Sequence, residues 1–141
     1  IPLPPYRMIL AASPEYLQRH GTPLTPQDLR QHHCISFSQW RSDHSWQLEG
    51  PSGKLEIAIT PRLMVDSGEA IRQAALAGLG IVQHSVLTLQ QDIDDGRLCP
   101  VLPDYLPPPR PMHLLRLPIR PLLPIVSSFT DYFLQALKTT L

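Results

Sequence analysis

The fold of this chain is decided by the stretch Arg62-Leu-Met-Val-Asp-Ser-Gly-Glu-Ala-Ile-Arg-Gln-Ala-Ala-Leu-Ala-Gly-Leu-Gly-Ile-Val-Gln-His-Ser85. It begins with an apolar run at 63–65, is broken at 66–68, and continues with apolar residues at helical spacing. Gly78 and Gly80 end the helical pattern, and a second apolar run follows them. Two strands joined through a helix of this length predict a parallel βαβ unit. Its helix would begin at the carboxyl end of a strand, where open α/β sheets usually bind ligands.

Two residues compete to cap the start of the predicted helix. Asp66 is the favoured cap, because Glu69 stands three residues later as in a capping box. Ser67 is the alternative, and in that case the first backbone N–H groups, from Gly68 onward, would face outward at the positive end of the helix. Such a turn can accept an anion or a carbonyl group, so it is a candidate site.

The composition limits the class of protein. The chain has 141 residues, 43% of them hydrophobic, which is enough for one packed domain or one and a half. Twelve basic and twelve acidic residues give a formal net charge of zero, unlike the basic surface of a nucleic-acid-binding domain. No apolar run is long enough to span a bilayer, so no membrane partner is expected. The first residue is Ile1, so we expect a piece of a longer polypeptide.

No pattern of catalytic or metal-binding residues stands out. Cys34 and Cys99 are interpreted as small buried side chains, which favours a reduced, cytoplasmic setting. His32 and His33 directly precede Cys34, and neighbours in an extended chain face opposite sides, so the three cannot converge on one metal ion. Phosphate loops, nucleophile elbows and metalloprotease motifs are absent from the sequence. We therefore expect no enzymatic activity, no metal and no cofactor.

The rest of the chain alternates extended and helical patterns, which predicts an α/β fold. Tyr6–Ala12 is expected to be a strand, and Ser13-Pro14 and Thr25-Pro26 to start short helices. The expected later elements are a hairpin at 46–59, a helix at Val86–Ile93, strands at Leu98–Leu102 and Met112–Leu117, and a long amphipathic helix from Pro124.

Four stretches follow one another in the order and spacing of a known family. They are Ala12–Gly21 with Thr25–Leu29, His33–Phe37 followed by Trp46, Asp66–Arg72 with Ala75–Ile81, and Asp95–Leu98 with Val101–Tyr105. In these stretches the chain resembles the C-terminal effector-binding domain of LysR-type transcriptional regulators, truncated at its N-terminal side. The likeness covers nearly the whole chain.

The resemblance implies a fold similar to type 2 periplasmic binding proteins, in which two crossover strands join two α/β subdomains. Residues 1–12 would form the first crossover strand and a remnant of the first subdomain. Residues 13–111 would form a nearly complete second subdomain. Residues 112–141 would supply the return crossover strand and the C-terminal helix of the first subdomain. The winged helix-turn-helix that binds DNA would lie outside this chain.

The resemblance also implies a function and a site. A small-molecule effector, with an anion as one candidate, would bind between the subdomains and control DNA binding by a homodimer or tetramer. Its contacts are implied at Asp66, Ser67 and Gly68, and at the strand end formed by Gln83 and His84. The sequence departs from the family at His84, where proline is usual. The alternative function is a transport-type solute-binding protein of similar fold.

Overall fold

A computed structural model describes residues 1–38, 44–118 and 120–140 of the chain, which form two compact units. The central unit comprises Tyr6–Arg110, and the terminal unit comprises Ile1–Pro5 and the described residues from Pro111 onward. The elements in chain order are strands β1 Pro2–Tyr6, β2 Met8–Ala12, β3 Cys34–Phe37, β4 Ser45–Gly50, β5 Gly53–Ala58, β6 Pro61–Val65, β7 Ile81–Ser85, β8 Cys99–Val101 and β9 Arg110–His113, helices α1 Pro14–His20, α2 Gly68–Leu76, α3 Val86–Asp94 and α4 Pro124–Thr140, and a 3-10 helix at Pro26–Gln31.

The central unit is built on a five-stranded mixed sheet with the strand order β6-β3-β7-β2-β8. Strand β3 pairs in parallel with β6 on one side and with β7 on the other. Strand β2 runs antiparallel to β7 and β8. The predicted βαβ unit is therefore confirmed: β6, α2 and β7 form a parallel crossover, and β3 lies between its two strands.

The two faces of the sheet carry different layers, because successive strand residues point to opposite sides. Helices α2 and α3 cover one face, where Ile71, Ala75 and Leu89 pack on Ile35 and Val82. The β4–β5 hairpin and α1 cover the other face, where the buried side chains are Leu10, Tyr16, Cys34, Trp46, Leu48, Ile57 and Ile81, among others. The alternation along β7 thus decides which layer each of its side chains enters.

The N-terminal extended run divides into two strands at Arg7. Strand β1 pairs with β9 in a two-stranded sheet, whereas β2 joins the five-stranded sheet, so the chain changes sheets at this residue. The expected strand at Met112–Leu117 is correspondingly displaced: β9 ends at His113. Beyond it, the backbones of Leu114 and Ile1 exchange hydrogen bonds of 2.8 and 3.0 Å.

Helix α4 is the long amphipathic helix that the sequence predicts. It has seventeen residues, and Phe129 stacks on Phe133 with ring centroids 6.1 Å apart. Ile125, Phe129 and Tyr132 are exposed along it. Within the described ranges, none of the helices combines the length and the apolar character that crossing a membrane requires.

Candidate functional site

The carboxyl ends of the three parallel strands meet at one edge of the sheet. Strand β6 ends at Val65, β3 at Phe37 and β7 at Ser85, and helices α2 and α3 begin directly after two of these ends. Edges of this kind bring helix N-termini and strand ends to one surface. The site residues implied by the sequence all lie at this end of their elements.

Ser67, and not Asp66, caps helix α2. Its backbone is extended, with φ −134° and ψ 148°, and its Oγ accepts a hydrogen bond of 3.1 Å from the Ala70 N–H. The capping box favoured from the sequence is wrong, because Glu69 instead accepts hydrogen bonds from Arg72 and Gln73 at 3.0 and 2.8 Å. The hydrogen bond from Gln73 is the main reason that the pKa of the Glu69 carboxyl lies below its ordinary value, and the bond from Arg72 adds to it.

His84 packs against the start of the same helix. A methyl group added to Gly68 would lie 3.0 Å from Cε1 and 3.2 Å from Nε2 of the His84 ring. The Phe37 ring meets this imidazole edge-on, with centroids 6.1 Å apart. Burial lowers the pKa of His84, so its neutral form is favoured. Gly68, His84 and Phe37 therefore form one surface, beside Asp66 and Ser67, which are exposed.

Gln83 points to the opposite face of the sheet. It lies on the hairpin side, where it lines a cavity with Ser36, Trp46 and Arg110. The structure therefore brings Gly68 and His84 together but separates Gln83 from them. Side chains alternate between the two faces of a strand, and this alternation is the signal in the sequence that distinguishes Gln83 from His84. Phe37 was missed, although its position at the end of a parallel strand could have marked it.

A buried carboxylate joins helices α2 and α3. Asp92 is 0% exposed and accepts hydrogen bonds from Arg72 Nε at 2.6 Å and Arg72 Nη2 at 2.9 Å. Arg97 Nη2 lies 2.6 Å from the same carboxyl group. The hydrogen bonds from Arg72, with the charges of both guanidinium groups, lower the pKa of Asp92. This network fixes α2, whose first turn forms the candidate surface.

The histidines near Cys34 take part in a hydrogen-bond network around Tyr16. The Tyr16 hydroxyl accepts a bond of 3.0 Å from the His33 N–H and shares a hydrogen bond of 2.8 Å with His32 Nδ1. Arg62 lies 2.9 Å from His33 Nδ1. Over the described ranges, no three His, Cys, Asp or Glu side chains are placed to hold a metal ion. Burial raises the pKa of the Cys34 thiol to about 12, so it is an unreactive thiol.

Acid is expected to weaken the Tyr16 network. Arg62 can only donate to the His33 ring, which requires that ring to be neutral, and burial lowers the pKa values of His32 and His33 below the ordinary 6.5. Because the unfolded chain binds these protons more readily, the stabilisation is present above pH 6.5 and is lost as the pH falls through the depressed values. Urea unfolding at pH 7 and pH 5 should show the decrease. The double variant His32→Gln, His33→Gln should lose most of this fall in the free energy of unfolding between pH 7 and pH 5, whereas His113→Gln should keep it. Equal slopes in both variants would contradict the assignment.

Replacing Ser67 by alanine is expected to lower the free energy of unfolding by about 1 kcal/mol, because the first turn of α2 loses its cap. Ser52→Ala, in the exposed β4–β5 turn, is the matched control and should change stability by less than about 0.5 kcal/mol. Urea denaturation of both variants measures the difference. A Ser67→Ala protein as stable as Ser52→Ala would show that another residue caps the helix.

The similarity to known proteins extends over almost the whole chain. The family model described as LysR substrate binding domain matches residues 1–138. The transcriptional regulator CrgA of Neisseria meningitidis serogroup B is 38% identical over 96 residues, which are 68% of this chain and 32% of that protein. The transcriptional activator TtdR of Escherichia coli K12 is 34% identical over 100 residues, 70% of this chain and 32% of that protein. The chain thus spans about a third of the length of these curated relatives.

Solved structures of such regulators share the fold. The full-length virulence activator AphB of Vibrio cholerae superposes with a TM-score of 0.85 at 26% identity, over 96% of this chain and 46% of that chain. The regulatory domain of CrgA from Neisseria meningitidis gives a TM-score of 0.77 at 29% identity, over 97% of this chain and 67% of that domain. These relatives are transcriptional regulators and not transporters, so the solute-transport alternative is not supported. The α/β chain belongs to the LysR substrate-binding domain family and has its periplasmic-binding-protein-like, effector-binding fold.

Proposed function

We propose that this domain senses a small-molecule effector at the carboxyl edge of its sheet, and that it does so as a ligand sensor without enzymatic activity. Asp66, Ser67, Gly68 and His84 would form the wall that the effector contacts. The observation that carries the proposal is the contact of the His84 ring with Gly68 at the start of α2. Family membership supports the same surface, because this fold places ligands outside the carboxyl ends of its strands.

The chemistry of the wall favours a polar effector with an acceptor group, such as an anion. The first turn of α2 presents backbone N–H groups that a helix cannot satisfy internally, at the positive end of its dipole. The Glu69 carboxylate in the same turn is hydrogen-bonded to Arg72 and Gln73, which offsets its charge. The neutral imidazole of His84 can donate or accept one hydrogen bond, and Phe37 offers an apolar surface.

In the longer regulator, we infer that effector binding controls DNA binding and transcription. DNA contact would be made by a separate N-terminal winged helix-turn-helix, in a cytoplasmic homodimer or tetramer. The printed names of the relatives, HTH-type transcriptional regulators, support this role. The free thiols of Cys34 and Cys99 are consistent with a reducing compartment. The exposed apolar residues of α4 support further protein contacts.

The subdomain limits implied by the family remain part of the proposal: 1–12 and 112–141 would belong to the crossover strands and first subdomain, and 13–111 to the second. The compact unit formed by Tyr6–Arg110 supports these limits. An effector can shift the equilibrium between two arrangements of the subdomains only if it binds one arrangement more tightly than the other.

The test is a thermal-shift and calorimetric screen of carboxylates and amino acids on the regulator that carries this domain. A binding compound should lose at least tenfold in affinity, about 1.4 kcal/mol, in Gly68→Ala, because the added methyl group crowds His84. Ser52→Ala should bind as the unchanged protein does. The proposal fails if no compound class binds and DNA binding does not respond to a metabolite extract.

A further inference from the structure

Three histidines and one arginine meet at the end of the sheet where the parallel strands begin. His33 directly precedes β3, and Arg62 is the second residue of β6. His20 is the last residue of α1, and His32 follows the 3-10 helix. All four belong to the central unit. The effector wall lies at the opposite, carboxyl end of the same strands, so this cluster is separate from it.

The members of this cluster contact one another around the ring of Tyr16. His20 stacks on Tyr16 with ring centroids 4.6 Å apart, and the His20 and His33 centroids are 4.9 Å apart. The Tyr16 ring also contacts His32, at a centroid distance of 5.8 Å. Arg62 Nη1 lies 2.9 Å from Nδ1 and 3.3 Å from Nε2 of His33. Side chains from separate segments of the chain therefore converge on one small area.

Little negative charge balances these basic groups. The titratable groups that act on the cluster from the elements packed around it are Tyr16, His20, Asp28, His32, His33, Cys34 and Arg62. Asp28 supplies the carboxylate of this set, and its Oδ2 already accepts hydrogen bonds from the Leu24 and Thr25 N–H groups at 2.9 and 3.0 Å. Within the described ranges, no carboxylate forms an ion pair with Arg62. The cluster therefore gains net positive charge whenever a histidine binds a proton.

Mild acid changes what the cluster can bind. Burial, followed by the charges of Arg62 and His20, holds the pKa of His33 below its ordinary value, so this ring is neutral at pH 7. Once protonated, His33 can no longer accept a hydrogen bond from Arg62, and both groups become donors that need an acceptor. Like charges at these distances repel each other, and an anion between them offsets the repulsion. Arg62 and His20 are exposed and His33 is half-buried, so an ion from solvent can reach all three.

We propose that His20, His33 and Arg62 form a proton-dependent binding site for a free divalent oxyanion of the size of sulfate. The guanidinium group and the two imidazolium rings would donate charge-assisted hydrogen bonds to its oxygens. A doubly charged anion balances this set better than a singly charged one does. Binding should strengthen as the pH falls, because the protonated rings supply the charge. The site does not depend on the proposed effector wall, which uses other residues at the other end of the strands.

The test is an NMR titration of the full chain with sodium sulfate at pH 5.5 and at pH 7.5, a range in which sulfate stays doubly charged. Saturable shifts are expected in the ring C–H signals of His20 and His33, with a millimolar dissociation constant at pH 5.5 and at least tenfold weaker binding at pH 7.5. Sulfate should also raise the pKa of His33, because the anion stabilises the protonated ring. Sodium chloride at the same ionic strength should give no saturable shift, and the His113 signal should respond to neither salt. Sodium acetate should bind at least tenfold more weakly than sulfate.

Variants assign the sulfate response to this cluster. Arg62→Gln should weaken sulfate binding at pH 5.5 at least tenfold, whereas Arg116→Gln, a matched change at an exposed arginine of the terminal unit, should not. Gly68→Ala should bind sulfate as the unchanged protein does, so failure of the effector wall and failure of this site are separate results. The proposal is overturned if sulfate shifts the two rings no more than chloride does, if its affinity is the same at both pH values, or if Arg62→Gln binds it as tightly as Arg116→Gln. The first two comparisons use the unchanged protein, so they decide the question even if Arg62→Gln fails to fold.

Discussion

Replacing Asp92 by alanine is expected to lower the free energy of unfolding by about 3 kcal/mol, the lower end of the cost of breaking a buried ion pair. The carboxylate is fully buried and contacts Arg72 and Arg97 at 2.6 Å each. Its removal leaves both guanidinium groups without their shared partner. The Arg72 and Arg97 side chains keep 23% and 51% exposure, so water can partly replace the lost bonds, which places the cost at the lower end.

Urea denaturation at pH 7 measures this loss, and Asp94→Ala is the matched control. Asp94 lies in the same helix, is exposed and accepts a local hydrogen bond from Gln90, so its replacement should cost no more than about 0.5 kcal/mol. Similar losses in the two variants would show that the buried network adds little.

The pH dependence supplies a second test of the Asp92 network. Because its pKa is lowered in the folded chain, the stabilisation is present above the ordinary aspartate value and is lost as the pH falls through the depressed value. The stabilities of the unchanged protein and Asp92→Ala should therefore converge in strong acid. A gap that stays constant down to that range would assign the loss to packing instead of charge.

The fold could be predicted from local patterns, whereas the site depended on relations between distant residues. The βαβ unit follows from two apolar runs, a helical period and Gly78, whose φ of +74° ends α2 as the sequence indicates. Each of these signals acts over a few residues, and the tertiary structure agrees with all of them. The four stretches shared with the family add the order of the elements.

The errors in the candidate site have equally specific causes. Asp66 and Ser67 are adjacent and both are good caps, so a shift of one residue decided between them. The resemblance implies ligand contacts from both Gln83 and His84 at one strand end, although neighbours in a strand face opposite layers. Arg72, one of the two partners of Asp92, lies 20 residues away in the chain, and no local pattern in the sequence marks this pairing.

Gly80 shows how one glycine can combine a sequence signal with a different structural role. The sequence assigned it to the end of α2 together with Gly78, but Gly78 alone ends that helix. Gly80 instead lets β7 approach the chain before β3, where the Ile81 N–H donates a bond of 2.8 Å to the His33 carbonyl oxygen. A methyl group on Gly80 would overlap that oxygen and lie 3.0 Å from the His33 carbonyl carbon.

Gly80→Ala is therefore expected to lower the free energy of unfolding by about 3 kcal/mol, the upper part of the range for overpacking. The obstacle is backbone, which cannot rotate away as a side chain could, so β7 must move off β3 and weaken the Ile81–His33 hydrogen bond. Gly96→Ala is the control: its φ of +75° imposes strain, but nothing lies within 4 Å, so the cost should be about 1–2 kcal/mol. Urea unfolding compares the two. A displaced β7 carries Gln83 and His84 with it, so Gly80→Ala should also shift their NMR signals while Gly96→Ala leaves them in place. Equal losses of unfolding free energy in the two variants would mean that β7 can move away from β3 at little cost. The candidate site would then be held in place by α2 and α3 instead.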